Sequence, residues 1–364
     1  MDRRVLTHDE AVREVYRLTP QIREYDEFMY LGVRWLPYTM FFHHKNYRSD
    51  VINTDDLGFR LSTFGDVCDV SVANLSKGRS VNLLVGGSTA LGTGATADSH
   101  TVASRLAAWT GEPWLNFSGR GYNAVQEVLM YMMHQHRFEQ INHIVVLSGI
   151  NTLALEGQPD ELATDHGRYY YSFEYQHYMN RYNDDLKRRA RTYASTLDGR
   201  EKNFISRYIN RLLSEDNPAD VVITDDGTDT DARVKRAAWV VSNAMKQWQQ
   251  LLAGTGTKLS FVLQPMSSWT RDHLTLDEAD IFHAIDSCPN NFWRLFARIL
   301  GKEIHAPFAD GIHEVCETRK IGFADMNVLL RDSPVIDDYL FVDRVHFNDK
   351  GYDEVARLIA NKVL

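Results

Sequence analysis

The chain has 364 residues, 44% of them apolar and 11% aromatic, with a formal net charge of −9. That is enough material for one enlarged α/β domain, or one domain with a smaller appendage, and it excludes a disordered or fibrous chain. The negative balance argues against a nucleic-acid backbone or an anionic membrane as the main partner.

No apolar stretch follows the charges of residues 1–10, so no secretory signal is read there. No run reaches the ~18 apolar residues of a membrane helix, and a cytoplasmic location without membrane insertion is expected. Cys68, Cys288 and Cys316 lie far apart and form no CxxC unit, which suggests neither a disulfide scaffold nor a closed zinc site.

Val12, Val15 and Tyr16 fall at helical spacing between Asp9 and Leu18, with Pro20 as a stop. The aromatic stretch Trp35 to His44 is broken by Pro37 and reads as a packing or cover element. Residues 1–80 are taken as an N-terminal extension packed on a larger domain over 81–364.

From Val81 the pattern is clearer. Val81 to Val85 is an apolar run ending at Gly86-Gly87, as a buried strand entering a tight turn would. A helix follows over Thr101–Thr110, a strand over Pro113–Phe117, a helix over Ala124–Phe138 and a strand over His143–Leu147. This alternation predicts a three-layer α/β/α sandwich with a mostly parallel, flavodoxin-like central sheet.

The alternation stops over 155–256, which reads as a helical insertion. Helical patterns occur near Tyr178–Tyr193, Asn203–Leu213 and Ala232–Leu252, with a polar gap from Ser214 to Asp231. The basic stretch Lys187 to Arg191, beside Asp184 and Asp185, reads as a solvated helix face. The insertion lies just after Asn151 and is expected at the mouth of any cleft there. The sheet resumes at Leu259–Leu263, a last strand is expected over Ile321–Asp325, and a terminal helix over Asp349–Lys362.

Four strand-end segments carry groups suited to chemistry. Ser88 follows Gly86-Gly87, where small residues let the chain turn and expose a hydroxyl. The glycines match neither a phosphate loop nor a dinucleotide fingerprint. A hydroxyl becomes a good nucleophile when an imidazole can take its proton, and the imidazole needs an acceptor on its other nitrogen. Asp343 and His346, three residues apart, can supply both from one local turn. Gly121, after the second strand, and Asn151, after the third, could offer N–H donors to a developing oxyanion. Each also has a plain structural reading: a glycine at positive φ, an asparagine in an Asx turn. His134 and His136 are two apart and do not share a helix face, so a zinc site is not expected there.

These same residues carry a resemblance to the SGNH (GDSL-like) hydrolase superfamily over roughly 81–155 and 257–364. Gly86-Gly87-Ser88 resembles its serine block, Asn116 to Gly121 its glycine block, Gly149-Ile150-Asn151 its Gly-x-Asn block, and Asp343 to His346 its closing Asp-x-x-His block. Asn53 to Arg60 is similar to a phrase that precedes the sheet in some relatives. The family often has Asp before the nucleophile and usually has Asp after the block asparagine, whereas this chain has Gly87 and Thr152. The resemblance implies an acyl-enzyme on Ser88, with His346 as base, Asp343 as orienter, and an oxyanion hole from Ser88, Gly121 and Asn151. It implies a small or medium polar ester as substrate and no metal or organic cofactor. An O-acyltransferase with the same triad and an inactive binding protein are the alternatives. The oligomeric state stays open.

Overall fold

Successive side chains of a strand point to opposite faces, so a strand buried at every position must be covered on both sides. Val81–Gly86 is such a strand. The computed structural model describes residues 5–30, 34–74, 79–158, 167–170, 229–288 and 296–364. Two short antiparallel hairpins come first: β1 (Arg34–Leu36) with β2 (Met40–Phe42), and β3 (Ser62–Phe64) with β4 (Val67–Val70). A five-stranded sheet follows, built from β5 (Val81–Gly86), β6 (Trp114–Ser118), β7 (Ile141–Ser148), β8 (Lys258–Leu263) and β9 (Gly322–Asp325). Its order is β6-β5-β7-β8-β9 and every pairing is parallel. The register aligns Gly86 with Ser118 and Leu147, Ser148 with Leu263, and Leu263 with Asp325. The C-terminal strand ends therefore form one rim.

The helices are α1 (His8–Leu18), α2 (Ile22–Tyr30), α3 (Ser88–Leu91), α4 (Val102–Thr110), α5 (Ala124–His134), α6 (Ile150–Glu156), α7 (Thr230–Leu251), α8 (Ser267–Thr270), α9 (Leu276–Asp286), α10 (His305–Arg319), α11 (Met326–Arg331) and α12 (Asp349–Lys362). On one face of the sheet, Leu83, Val85, Ile144, Val146 and Phe261 pack with residues of α5, α7 and α10. On the other, Leu84, Val145, Leu147 and Val262 pack with α4, α9, α11 and α12. The result is a parallel sheet flanked by helices on both faces.

Helix α5 stops at His134 and tightens into a 3₁₀ turn over Gln135–Arg137, short of the expected Phe138. None of those three residues is buried, so nothing draws the helix onward. Helix α7 buries Val234, Ala237, Val241, Met245 and Trp248 in the core, so this part of the 155–256 segment is a helix of the layer itself. Asp229, from the polar gap before it, caps its N-terminus by accepting from the Asp231 N–H. The helical patterns at Tyr178–Tyr193 and Asn203–Leu213 and the basic stretch Lys187 to Arg191 lie outside the described residues.

The N-terminal segment is joined to the turn after α3. Arg60 is fully buried, which is tolerable only for a guanidinium whose donors are met. It donates to Asp98 at 2.7 Å, to the carbonyls of Leu91 and Gly92 at 3.1 and 3.0 Å, and to that of Val51 at 2.6 Å. The Tyr25 hydroxyl lies 2.8 Å from the same Gly92 carbonyl. No helix among the described residues is long and apolar enough to cross a membrane.

Candidate active site

At the end of β5 the backbone of Gly86 takes φ +155°, and a Cβ there would stand 2.1 Å from the Leu147 carbonyl oxygen. Any side chain would force β5 away from β7. The chain turns at Gly87, and Ser88 opens α3. As a first-turn residue, Ser88 has no intrahelical acceptor for its N–H.

The second half of the site comes from a tight loop before α12. Phe341 and Phe347 form an isolated antiparallel bridge, with rings 4.4 Å apart, and the Val342 N–H donates to the His346 carbonyl at 3.0 Å. Asn348 caps α12 by accepting from the Gly351 N–H at 2.9 Å, and its own amide donates to the Tyr339 carbonyl at 2.8 Å. This closure sets Asp343 and His346 side by side.

Oδ1 of Asp343 accepts from the N–H groups of Val345 and His346, each at 2.8 Å. Oδ2 accepts from His346 Nδ1 at 2.6 Å, and His346 Nε2 lies 2.7 Å from Ser88 Oγ. Burial would raise the Asp343 carboxyl. The electrostatic attraction and hydrogen bond of the His346 ring and the two backbone donors together outweigh that, and hold it below the ordinary carboxylate value. An ionised acceptor at Nδ1 fixes the ring proton there and turns the Nε2 lone pair toward the serine hydroxyl. Such a chain can take a proton from Ser88 and stabilise the imidazolium that results.

Asn151 lies in the first turn of α6, just after β7, and donates from Nδ2 to the Tyr122 carbonyl at 2.9 Å. That bond ties it to the loop carrying Gly121. A Cβ at position 87 would stand 2.4 Å from Asn151 Nδ2, which gives a local reason for glycine before Ser88. Gly121 takes φ +74°, with Phe41 and Tyr170 beside it. No hydrogen bond within the described residues uses the N–H of Ser88 or of Gly121, and each Asn151 amide has a second N–H. Three donors thus lie on the rim with Ser88. Thr152 accepts from the Ala124 N–H at 3.1 Å and so anchors the Asn151 turn to the start of α5.

Two side chains that the sequence did not single out connect the halves of the site. Thr89 donates to the Val345 carbonyl at 2.9 Å, and Gln264, just past β8, donates to the Thr89 hydroxyl at 2.7 Å. A polar residue directly after a buried apolar strand was the available signal for Gln264. The Ser267 N–H also donates to the Arg344 carbonyl at 2.9 Å, bracing the same loop. Among the described residues, no three His, Cys, Asp or Glu side chains are grouped to hold a metal ion.

No family model matches the chain, and no curated protein matches it. Among solved structures, the chain is similar to a carbohydrate acetylesterase from Sinorhizobium meliloti at 10% identity and TM-score 0.41, over 78% of this chain and 97% of that one. It is similar to an acetyl xylan esterase at 12% identity and TM-score 0.38, over 78% of this chain and 100% of that one. An aryl esterase of M. smegmatis matches at 10% identity and TM-score 0.40, over 78% of this chain and 97% of that one. What this site can do is read from its own geometry.

Proposed function

We propose that this chain is a serine ester hydrolase of the SGNH type, acting on an O-acyl ester of a small or medium polar molecule. The observation that carries the reading is the unbroken line from Ser88 Oγ through His346 to Asp343, at 2.7 and 2.6 Å. As Ser88 Oγ attacks the acyl carbon, its proton passes to His346 Nε2. The tetrahedral oxyanion accepts hydrogen bonds from the Ser88 N–H, the Gly121 N–H and the Asn151 amide. The imidazolium, held by Asp343, then gives its proton to the leaving alkoxide, which frees the alcohol and leaves an ester on Ser88. A water molecule repeats the cycle, with His346 as its base, and releases the acid.

The flavodoxin-like description is part of the same proposal, supported by the strand order, which in chain sequence is second, first, third, fourth, fifth. So is the division into an 81–364 domain with an insertion inside 155–256. Tyr170, within that segment and next to Gly121, supports a place for it at the cleft mouth. A panel of acetyl to hexanoyl esters of phenols, simple alcohols and sugars, run with and without added alcohol acceptors, tests the reaction. Free acid as the sole acyl product supports hydrolysis. Acyl transfer to the added alcohol in preference to water would overturn it in favour of transfer.

A further inference from the structure

The loop that carries Gly121 is braced from outside the sheet by the β2 segment, 77 residues earlier in the chain at its central contact. His43 Nε2 accepts from the Arg120 N–H at 3.0 Å, and its Nδ1 lies 3.1 Å from the Gly58 carbonyl. A carbonyl can only accept and a backbone N–H can only donate, so the ring is neutral with its proton on Nδ1. Burial pushes His43 down to about 3. The Gly58 hydrogen bond opposes this, while the Arg120, Arg34 and Arg60 charges add to it, so Nε2 stays an acceptor at neutral pH. His43 is 6% exposed, and its ring stacks on Phe42 at 4.5 Å. Two more bonds come from the same segment: the Tyr122 hydroxyl donates to the Phe41 carbonyl at 2.6 Å, and Gln126 Nε2 donates to that of Thr39 at 2.8 Å.

We propose that His43 is a positioning residue of the oxyanion hole, fixing the Arg120 backbone so that the next N–H, that of Gly121, faces the reacting acyl group. The inference rests on the serine-hydrolase reading above. Arg120 N and Gly121 N belong to successive peptide planes joined only through φ and ψ of Arg120, inside a turn closed by the Tyr122 N–H donating to the Gly119 carbonyl at 2.9 Å. Pinning the first therefore limits the direction of the second. An isolated structural histidine would not need to contact this one loop, with its own backbone neighbours Phe41 and Thr39 holding the residues on either side of the Asn123 cap.

The test compares p-nitrophenyl acetate with p-nitrophenyl thionoacetate, whose C=S sulfur is a poor hydrogen-bond acceptor. Replacing His43 with Leu keeps bulk but removes the acceptor. Expected for the acetate is a kcat loss of about tenfold to a hundredfold, in line with a weakened oxyanion donor. KM should hold, and the acetate-to-thionoacetate ratio of kcat should shrink. His43→Gln, whose amide oxygen can take the place of Nε2, should restore most of that ratio. An equal loss on both esters, or an unchanged ratio, would overturn the proposal. If His43→Leu fails to fold, Gln is compared with the shorter Asn, and equal ratios in the two would overturn it as well. A wild-type chain that forms no acyl-Ser88 with p-nitrophenyl acetate would instead sink the hydrolase reading, and this inference with it.

Discussion

The Thr89 hydroxyl donates to the Val345 carbonyl at 2.9 Å, so the residue after Ser88 holds the residue before His346 across 256 positions of sequence. Gln264 donates to the same hydroxyl, which commits the Thr89 proton to Val345. The distance between Ser88 Oγ and the imidazole is therefore set by a link that touches neither side chain.

Replacing Thr89 with Val keeps the shape and removes the link. The partly buried Val345 carbonyl and the buried Gln264 amide would each lose a partner, a cost of up to about 1–3 kcal/mol for a buried group. The variant should unfold at lower urea concentration and show a reduced kcat with KM nearly unchanged. Urea melts and steady-state ester kinetics measure the two effects. Lower stability with an intact kcat would assign the link to folding alone.

The parallel strands are readable in the sequence because burial on both faces makes them nearly continuous apolar runs, as in Val81–Val85 and Leu259–Leu263. Their ends are less so: Ile141 and Ser148 extend β7 because the ladder of hydrogen bonds outlasts the apolar run. The β3–β4 hairpin left no signal, since its second strand is mostly exposed and does not alternate. Ser88, Gly121 and Asn151 stand out in the sequence because each lies two or three residues past the end of a strand. Thr89 and His43 do not, and Gln264, although it directly follows β8, gives no local sign of what it meets. Their partners lie between 77 and 256 residues away, and no local pattern encodes such a meeting.

Glu127 gives the fold a pH dependence. It is 1% exposed, accepts from the Ser148 hydroxyl at 2.6 Å, and burial raises it from 4.5 to about 8, against the smaller opposing effect of that hydrogen bond. The native state therefore keeps a proton that the unfolded chain gives up near pH 4.5. Stability from this group is fully present below that pH and is lost as pH rises toward about 8. The slope approaches about 1.4 kcal/mol per pH unit inside that window. Glu127→Gln, which cannot ionise, should remove the slope and be the more stable protein at pH 8. Chemical melts of both proteins from pH 5 to 8.5 decide this. Parallel curves would refute it.

Asp343→Asn should keep the loop but change what it presents to His346. An amide can donate to Nδ1, which would leave the Nε2 proton facing Ser88. By analogy with the serine proteases, kcat should fall on the order of 10⁴-fold. The loss should ease at high pH as hydroxide substitutes for the base. A pH–rate profile for the variant checks both parts. A loss below about tenfold would show that His346 needs no carboxylate partner.

The central claim is that Ser88 is a nucleophile activated by His346, and one measurement bears on it most directly: intact-mass and peptide mapping after exposure to a fluorophosphonate. The account predicts a single adduct, located on Ser88, with none on Ser88→Ala although that variant folds normally. It also predicts labelling of His346→Ala slowed on the order of 10³-fold or more, since the serine would lose its base. A folded wild-type chain that stays unmodified, or carries its adduct on another residue, would contradict it.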